Sequence, residues 1–201
     1  MATEDQRALR TRSNLKKAML ELLQEYQFKD ISITKIAEYA RCNRVTFYAH
    51  YESSALLLTD IFQDYLDELA RTYKNSFKGI KTFSLADPAH IVPLFRFIYQ
   101  NHFVFSLMLK GELIPGSQNI FCETILSISR SDFELKDEVW FDTEAINYFE
   151  TYALLGLIIY WMKEGAQTSP EDMAVRISHL HSTTLGDIVV KSTGERANDE
   201  M

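Results

Sequence analysis

The chain has 201 residues, 46% of them hydrophobic, and carries 21 Lys+Arg against 28 Asp+Glu, for a formal charge of −7. Seven Gly and four Pro are too few for a turn-rich β-fold and favour long helices. The polar N-terminus excludes a secretory signal, and two cysteines without such a signal indicate a reduced, cytoplasmic protein rather than a disulfide framework.

The N-terminal quarter of the chain predicts three helices. The first runs from Gln6 to Tyr26, where apolar residues recur at helical spacing. After a turn at 27–30, Ser32 is the predicted N-cap of a short second helix, and Asn43 is the predicted N-cap of a third helix over 45–51. Two short helices separated by a tight turn form the helix-turn-helix layout, in which the second helix enters the major groove of DNA.

The remaining chain predicts helices only. The longest apolar run, Tyr152 to Met162, is too short to cross a bilayer, which takes about 20 residues, so it predicts a buried helix and no membrane contact. The predicted helices are 54–77, 89–101, 102–110, 117–130, 143–163 and 170–190, with Ile188 on the apolar stripe of the last one, and 192–201 is a predicted disordered tail.

Charge is unevenly distributed along the chain. Residues 1–54 carry 9 Lys+Arg against 7 Asp+Glu, while residues 55–201 carry 12 against 21. The stretch NRVTFYAHY at 43–51 contains no carboxylate, as a surface that meets phosphates requires. This pattern indicates a polyanion-binding head on an acidic body, although ordinary variation in surface charge explains the asymmetry equally well.

The span Leu15 to Leu58 resembles the DNA-binding domain of TetR-family transcriptional regulators. The run TFYAHY at 46–51 and the leucine-rich helix after it carry the resemblance, together with Ala18, Leu22, Phe28, Ser32, Ile33, Ile36, Ala37, Ala40, Asn43 and Arg44. The segment GLIIYWMKEGAQTSPEDMA at 156–174 is similar to family members that regulate dihydroxyacetone kinase operons. The resemblance implies an all-α fold, with a three-helix DNA-binding domain at 1–53 and a helical bundle for effector binding and dimerisation at 54–191.

The sequence departs from the family pattern at three positions. Arg41 and Val45 stand where the family often has glycine, so Arg41 must avoid or adopt a left-handed backbone. Ser54 stands where the family often has a lysine that touches a phosphate. Arg41, or the free amides near Ser53, are the predicted replacements for that contact.

The predicted DNA-binding residues lie in the second and third helices, at their N-caps and in the turn between them. Arg44 is predicted to donate both guanidinium arms to a guanine, its alternative being a solvated arginine at a helix start. Capping alone explains Ser32, and partial core packing is the alternative for Tyr48. Phe47 is assigned to the core. The full set is Ser32, Thr34, Arg41, Asn43, Arg44, Val45, Thr46, Tyr48 and His50.

Two further sets of residues are predicted in the acidic body. An aromatic set is predicted to line a pocket for an uncharged or weakly polar small molecule, although a plain hydrophobic core explains it as well. It comprises Phe62, Tyr65, Phe95, Tyr99, Phe103, Tyr148 and Tyr152. Because helix-turn-helix proteins bind paired half-sites, the last two helices are predicted to form a homodimer through Leu154, Gly156, Leu157, Ile158, Trp161, Met173, Ile177 and Leu180.

Catalytic chemistry has little support in the sequence. His179 and His181 point about 200° apart on a helix and cannot chelate one metal, and no Gly-rich phosphate loop is present. We therefore predict no enzyme, metal or cofactor, but a homodimeric, ligand-responsive repressor bound to a double-stranded DNA operator. The alternatives are an activator that acts through a protein partner, and an effector-binding or scaffolding protein without DNA binding.

Overall fold

A computed structural model describes residues 2–84, 86–135, 142–182 and 187–190. The chain divides into two compact units, Met1–Asp64 with Glu112–Pro115, and Tyr65–Gly111 with Gly116–Met201. The division between Asp64 and Tyr65 falls inside one helix. The predicted domain boundary after residue 53 stays a prediction, and the predicted tail 192–201 lies outside the described residues.

The first unit holds the predicted helix-turn-helix. Its helices are α1 (Ala2–Glu25), α2 (Ile33–Tyr39), α3 (Arg44–Tyr48) and the start of α4 (Ser54–Ser76), with a 3₁₀ turn at Phe28–Asp30. Both predicted caps are confirmed. The side chain of Ser32 accepts from the amide of Lys35 at 3.2 Å, and that of Asn43 accepts from the amide of Thr46 at 2.8 Å.

The core of the first unit is mainly aliphatic. Leu15, Met19 and Leu22 recur at one-turn intervals along α1, so they point to the same side of the helix and are fully buried. Phe47 of α3 is fully buried, as predicted, which leaves only the opposite side of this short helix in contact with solvent. The same core includes Ile36, Leu57, Leu58, Ile61 and Phe62.

The second unit begins with the rest of α4, and its helices lie close to their predicted positions. They are α5 (Val92–Gln100), α6 (His102–Lys110), α7 (Ser117–Asp132), α8 (Thr143–Lys163) and α9 (Pro170–Ser182), with a 3₁₀ turn at Pro88–His90. Among the described residues of both units, the all-α prediction is confirmed apart from three short strands.

These strands form a small antiparallel sheet in the second unit. β1 (Thr82–Ser84) and β2 (Phe133–Leu135) both pair with the central strand β3 (Asp187–Val190). The prediction that the last helix extends to residue 190, with Ile188 on its apolar stripe, is therefore wrong. Ile188 pairs with Phe83, and the β-branched run from Ile188 to Val190 favours an extended backbone.

The apolar run from Tyr152 to Met162 lies in α8 but is not buried all round. Leu154, Ile158 and Trp161 are buried, whereas Tyr152 and Tyr160 remain about half exposed. The prediction of a buried helix is thus correct for one side of α8 only. Among the described helices, none combines the length and the apolar character needed to cross a membrane.

Candidate nucleic-acid interface

The turn between α2 and α3 contains a left-handed residue. Arg41 has φ 56°, so the arginine adopts the conformation that glycine often supplies in this turn. The adjacent amide of Cys42 bonds to the carbonyl of Ala37 at 2.9 Å, which closes the end of α2. An L-residue in this conformation costs about 1–2 kcal/mol. The side chain of Arg41 is exposed to solvent.

One side of α3 is exposed and free of negative charge. Val45 is 78% exposed and Tyr48 49% exposed, and Arg44 beside them is also exposed. The guanidinium of Arg44 lies 6.0 Å from the ring centroid of Tyr48, within cation–π range. The structure thus groups an arginine, an aliphatic side chain and a tyrosine on one helical surface.

The polar residues around α3 are partly engaged in capping. The Oδ1 atom of Asn43 accepts from the Thr46 amide and from the Thr46 hydroxyl at 3.1 Å, which leaves the side-chain NH₂ of Asn43 as a donor. Thr34 is exposed, and His50 is half-buried. At the start of α4, the hydroxyl of Ser53 accepts from the Leu56 amide at 3.2 Å.

A polar cluster connects the end of α3 to α1 and α4 within the first unit. Arg12 donates to Asp60 at 2.8 Å and to the hydroxyl of Tyr51 at 3.3 Å. The Tyr51 hydroxyl donates to Asp60 at 2.6 Å, and Lys16 lies 2.8 Å from the same carboxylate oxygen and 2.5 Å from Asp64. We call Arg12, Lys16, Tyr51, Asp60 and Asp64 the α1–α4 ion cluster.

The electrostatics of the α1–α4 ion cluster favour its charged form. Partial burial alone would raise the pKa of Asp60, but the hydrogen bonds from Lys16, Tyr51 and Arg12 lower it to about 2. Burial first, and then the hydrogen bond to Asp60, raise the pKa of Tyr51 to about 12. At neutral pH the tyrosine is therefore protonated and the aspartate ionised.

Sequence reasoning missed this cluster, although its signal is present. Arg12 and Lys16 are four residues apart on one helix, and Asp60 and Asp64 are four apart on another. Each pair lies on one helical face, and the two faces carry opposite charge. The spacing does not reveal that these two helices are neighbours.

The predicted effector residues are divided between the two units. Phe62 is buried in the first unit, and the other six belong to the second. Phe95 and Tyr99 both contact Trp161, at centroid distances of 5.5 and 5.9 Å. Tyr148 and Tyr152 stack on each other at 6.2 Å and are both exposed, whereas Tyr65 and Phe103 are half-buried.

The predicted dimer residues divide into buried and exposed groups. Leu154, Ile158, Trp161, Met173 and Ile177 are buried within the single chain, whereas Gly156 and Leu180 are exposed and Leu157 is half-buried. Most of these side chains are therefore buried without a partner, and the predicted dimer interface stays a prediction. The exposed residues of α8 follow a different stripe, formed by Phe149, Tyr152, Gly156 and Tyr160, which we call the α8 aromatic stripe.

The described part of the chain offers no grouping of three or more His, Cys, Asp or Glu side chains suited to hold a metal ion. Cys122 is buried, and desolvation raises the pKa of its thiol to about 11, so this thiol is not a nucleophile at neutral pH. Cys42 is half-buried beside the turn, and burial raises the pKa of its thiol as well. Neither cysteine has the lowered pKa of a reactive thiol.

Comparison with known proteins supports the predicted family. A family model described as the C-terminal region of TetR-type transcriptional regulators matches residues 88–183. The HTH-type transcriptional regulator YxbF of Bacillus subtilis (strain 168) is 25% identical over 174 residues, which cover 85% of this chain and 44% of YxbF. The chain thus spans less than half the length of this curated relative.

Two solved structures have the same fold. A TetR transcriptional regulator from Streptococcus agalactiae is 18% identical with a TM-score of 0.66, and the match covers 89% of this chain and 97% of that one. The dihydroxyacetone kinase operon activator DhaS is 20% identical with a TM-score of 0.60, covering 88% and 98%. These proteins and the matched family are transcriptional regulators, not enzymes. The comparisons thus support the prediction of a TetR-family transcriptional regulator, with the family model matching residues 88–183.

Proposed function

We propose that the chain is a sequence-specific DNA-binding repressor that acts as a homodimer and responds to a small molecule. The observation that carries the proposal is the exposed, carboxylate-free side of α3, with Arg44, Val45 and Tyr48 supported by the buried Phe47. A helix bearing these groups fits the major groove, because its donors meet base edges and phosphates and no anion opposes them.

Base readout is assigned to Arg44 and Val45. The exposed guanidinium of Arg44 lies in the first turn of α3, where a recognition helix contacts bases, and its planar fork matches the O6 and N7 atoms of guanine. Val45 is 78% exposed, and a thymine methyl is the apolar group that the major groove offers to it.

Phosphate contacts are assigned to the polar groups around the helix-turn-helix. Tyr48 and His50 present side-chain donors at the end of α3, and the NH₂ of Asn43 stays available at its start. Thr34, Thr46 and the capping Ser32 lie near helix starts, where backbone amides also attract phosphates. With Ser54 in place of the family lysine, the exposed Arg41 is the proposed substitute.

The proposed dimer surface combines the α8 aromatic stripe with the exposed face of α9. Phe149, Tyr152 and Tyr160 are 62%, 47% and 53% exposed in the single chain, which is costly for large apolar side chains that remain in water. At Gly156 a Cβ atom would meet nothing within 4 Å, so the stripe has a gap in its middle that admits a partner's side chain. Leu180 on α9 is 53% exposed and extends this surface.

Repression follows from DNA binding alone, because a dimer on a promoter excludes other proteins from it. An activator is the second candidate, favoured by the shared fold with DhaS, which is named as an activator. The effector is proposed to bind among the aromatic residues of the second unit, such as Phe95, Tyr99 and Trp161, so an uncharged or weakly polar compound is expected. By linkage, such a ligand must bind DNA-free protein more tightly than DNA-bound protein.

The first experiment is selection of duplexes from a random library with the purified protein. A specific regulator enriches one palindromic sequence, binds it at least about 10³-fold more tightly than random DNA, and loses affinity linearly with log salt. No enrichment above a beads-only control would reject specific DNA binding. For the ligand, any compound that stabilises the protein thermally is then titrated with and without the selected duplex, and equal affinities would reject regulation through that site.

A further inference from the structure

The α1–α4 ion cluster joins α1, α4 and Tyr51, which follows α3, at one carboxylate. A single oxygen of Asp60 meets the guanidinium of Arg12 at 2.8 Å, the hydroxyl of Tyr51 at 2.6 Å and the ammonium of Lys16 at 2.8 Å. Charge-assisted hydrogen bonds of this kind are roughly twice as strong as neutral ones. The Asp60 side chain is 25% exposed, so solvent screens these contacts only in part.

Tyr51 transmits this attachment to α3. Its backbone amide bonds to the carbonyl of Phe47 at 2.9 Å, so the residue is part of the closing turn of the helix. Its ring packs on Phe47 at a centroid distance of 6.1 Å, and Arg12 lies 5.8 Å from the ring centroid on the other element. Fixing the Tyr51 hydroxyl therefore fixes how α3 is rotated about its own axis.

The cluster also assigns a structural role to Arg12 and Lys16, two of the five basic residues of α1. Arg12 and Lys16 face Asp60 and Asp64, so the positive charges of the cluster are balanced by its negative charges. A lysine held at 2.8 Å and 2.5 Å by two carboxylates, with a side chain only 16% exposed, is poorly available to a phosphate. These residues thus differ from a basic residue whose role is to contact the DNA backbone.

We propose that Arg12, Lys16 and Asp60 are positioning residues, which hold the hydroxyl of Tyr51 and thereby set the orientation in which α3 presents its exposed side to a specific DNA sequence. The inference rests on the proposed DNA-binding function. It assigns specificity to residues that do not touch DNA, because a rotation of α3 by a fraction of a turn moves Arg44 and Val45 away from the base edges that they read.

The change in DNA affinity on removing the charge of Asp60 distinguishes this positioning role from a general electrostatic effect, because the two predict opposite signs. Asp60→Asn removes a negative charge close to a polyanion, so electrostatics alone predicts tighter binding to all DNA. Positioning predicts the opposite for the specific site, where affinity falls roughly tenfold, as expected when a hydrogen bond to a charged group is lost. Tyr51→Phe keeps the ring and changes no charge, and it is expected to weaken specific binding by a similar factor.

Two matched controls accompany these variants. Glu52→Gln removes a negative charge next to Tyr51 without touching the cluster, because Glu52 is exposed. Tyr39→Phe removes a hydroxyl from a tyrosine that is 44% exposed on α2. Both controls are expected to bind the specific duplex within about twofold of the wild type, or slightly more tightly for Glu52→Gln, since surface changes of this kind have small effects.

The experiment measures affinity for the duplex selected by the wild-type chain and for a scrambled duplex, across a salt series, at a temperature where circular dichroism shows every variant folded. Asp60→Asn and Tyr51→Phe must lose affinity for the selected duplex only, with an unchanged salt slope. Wild-type affinity in both folded variants overturns the proposal. Equal loss of affinity for both duplexes also overturns the proposal. A salt slope lowered by about one in Arg12→Gln overturns it as well, because Arg12 would then be a phosphate contact. If the wild-type protein selects no duplex, the proposed function itself is rejected. If it selects a duplex that the variants bind equally tightly, only this inference is rejected.

Discussion

The exposed sides of α3 and α8 both carry large apolar side chains, but their surroundings differ. On α3, Val45 and Tyr48 stand beside Arg44 with no carboxylate in the stretch 43–51. Near the α8 aromatic stripe, Arg130 lies 5.6 Å from the ring centroid of Tyr148, but its charge is paired with that of Glu144. A surface whose hydrogen-bond donors have no carboxylate beside them suits a polyanion. An apolar surface whose neighbouring charges are paired with each other suits a second apolar surface.

The largest expected change is in the free energy of unfolding, and it distinguishes the buried side of α8 from the exposed side. Ile158→Glu buries a charge at a position with no exposure in the single chain, so the free energy of unfolding should fall by about 4 kcal/mol. Denaturant unfolding followed by circular dichroism measures this change. The same substitution at Phe149, which is 62% exposed, serves as the control and should leave the helical content unchanged. Equal destabilisation at both positions would contradict the assignment of the two sides.

Phe149→Glu should instead act on association. In a two-fold symmetric interface each substitution occurs twice, so a loss of about 1.5 kcal/mol per aromatic side chain raises the dimer dissociation constant roughly 100-fold. Sedimentation velocity at micromolar concentration measures the shift towards monomer. Val175→Glu is the second variant, because Val175 is 54% exposed on α9 and tests whether that helix shares the surface. A Phe149→Glu protein that remains fully dimeric would exclude the α8 aromatic stripe from the interface.

These two regions also show how far sequence reasoning reaches. The N-caps located α2 and α3 in the sequence, because the side chains of Ser32 and Asn43 each accept a hydrogen bond from an amide only three residues further along the chain. Within the same stretch Phe47 was assigned to the core, and it is buried. In α8 the sequence is apolar almost all round, so periodicity does not reveal which side faces the core. The buried side, with Ile158 and Trp161, is set by contacts with distant helices.

Longer-range contacts were beyond the sequence for the same reason. The strand at Asp187–Val190 depends on pairing with segments near residues 83 and 134, which are far away in the chain. Its β-branched composition was a signal, but an apolar stripe was an equally good description of Ile188 as part of a helix. The α1–α4 ion cluster likewise required knowledge of which helices are neighbours.

The α1–α4 ion cluster connects the end of α3 to α1 and α4, and the stability that it contributes depends on pH. The folded pKa of Asp60 is about 2, below its ordinary value of 3.8, so its stabilisation is fully present above pH 3.8 and is lost as pH falls towards 2. At neutral pH, Asp60→Asn should lower the free energy of unfolding by about 2 kcal/mol. Denaturant titrations at pH 7, 4 and 2.5 should show this difference shrinking with acid. A difference that does not depend on pH would show that the carboxylate charge is not what stabilises the fold.

Arg44→Ala tests the α3 side directly. The loss of one bidentate base contact should weaken binding to the selected duplex by about 2 kcal/mol and relax the preference at one base pair, without a change in helical content. Fluorescence anisotropy with the selected duplex and its single-base variants measures both effects. Arg176→Ala is the control, since Arg176 is exposed on α9, outside the proposed DNA-binding surface. Unchanged affinity and selectivity in folded Arg44→Ala would remove the assigned base contact.

The smallest effect is expected at the turn, where Arg41 occupies a left-handed conformation at φ 56°. Arg41→Gly removes the steric cost of about 1–2 kcal/mol, but glycine adds flexibility to the unfolded chain, which costs about 0.4–1 kcal/mol. The free energy of unfolding should therefore rise by only about 0.5 kcal/mol.

Arg41→Gly should nevertheless bind the selected duplex less tightly, with a salt slope lower by about one, because a phosphate contact is lost. Arg41→Lys, which keeps the charge and the strain, is the control that separates the two effects. A more stable Arg41→Gly protein with unchanged affinity and salt slope would show that Arg41 serves the turn alone and does not replace the lysine absent at position 54.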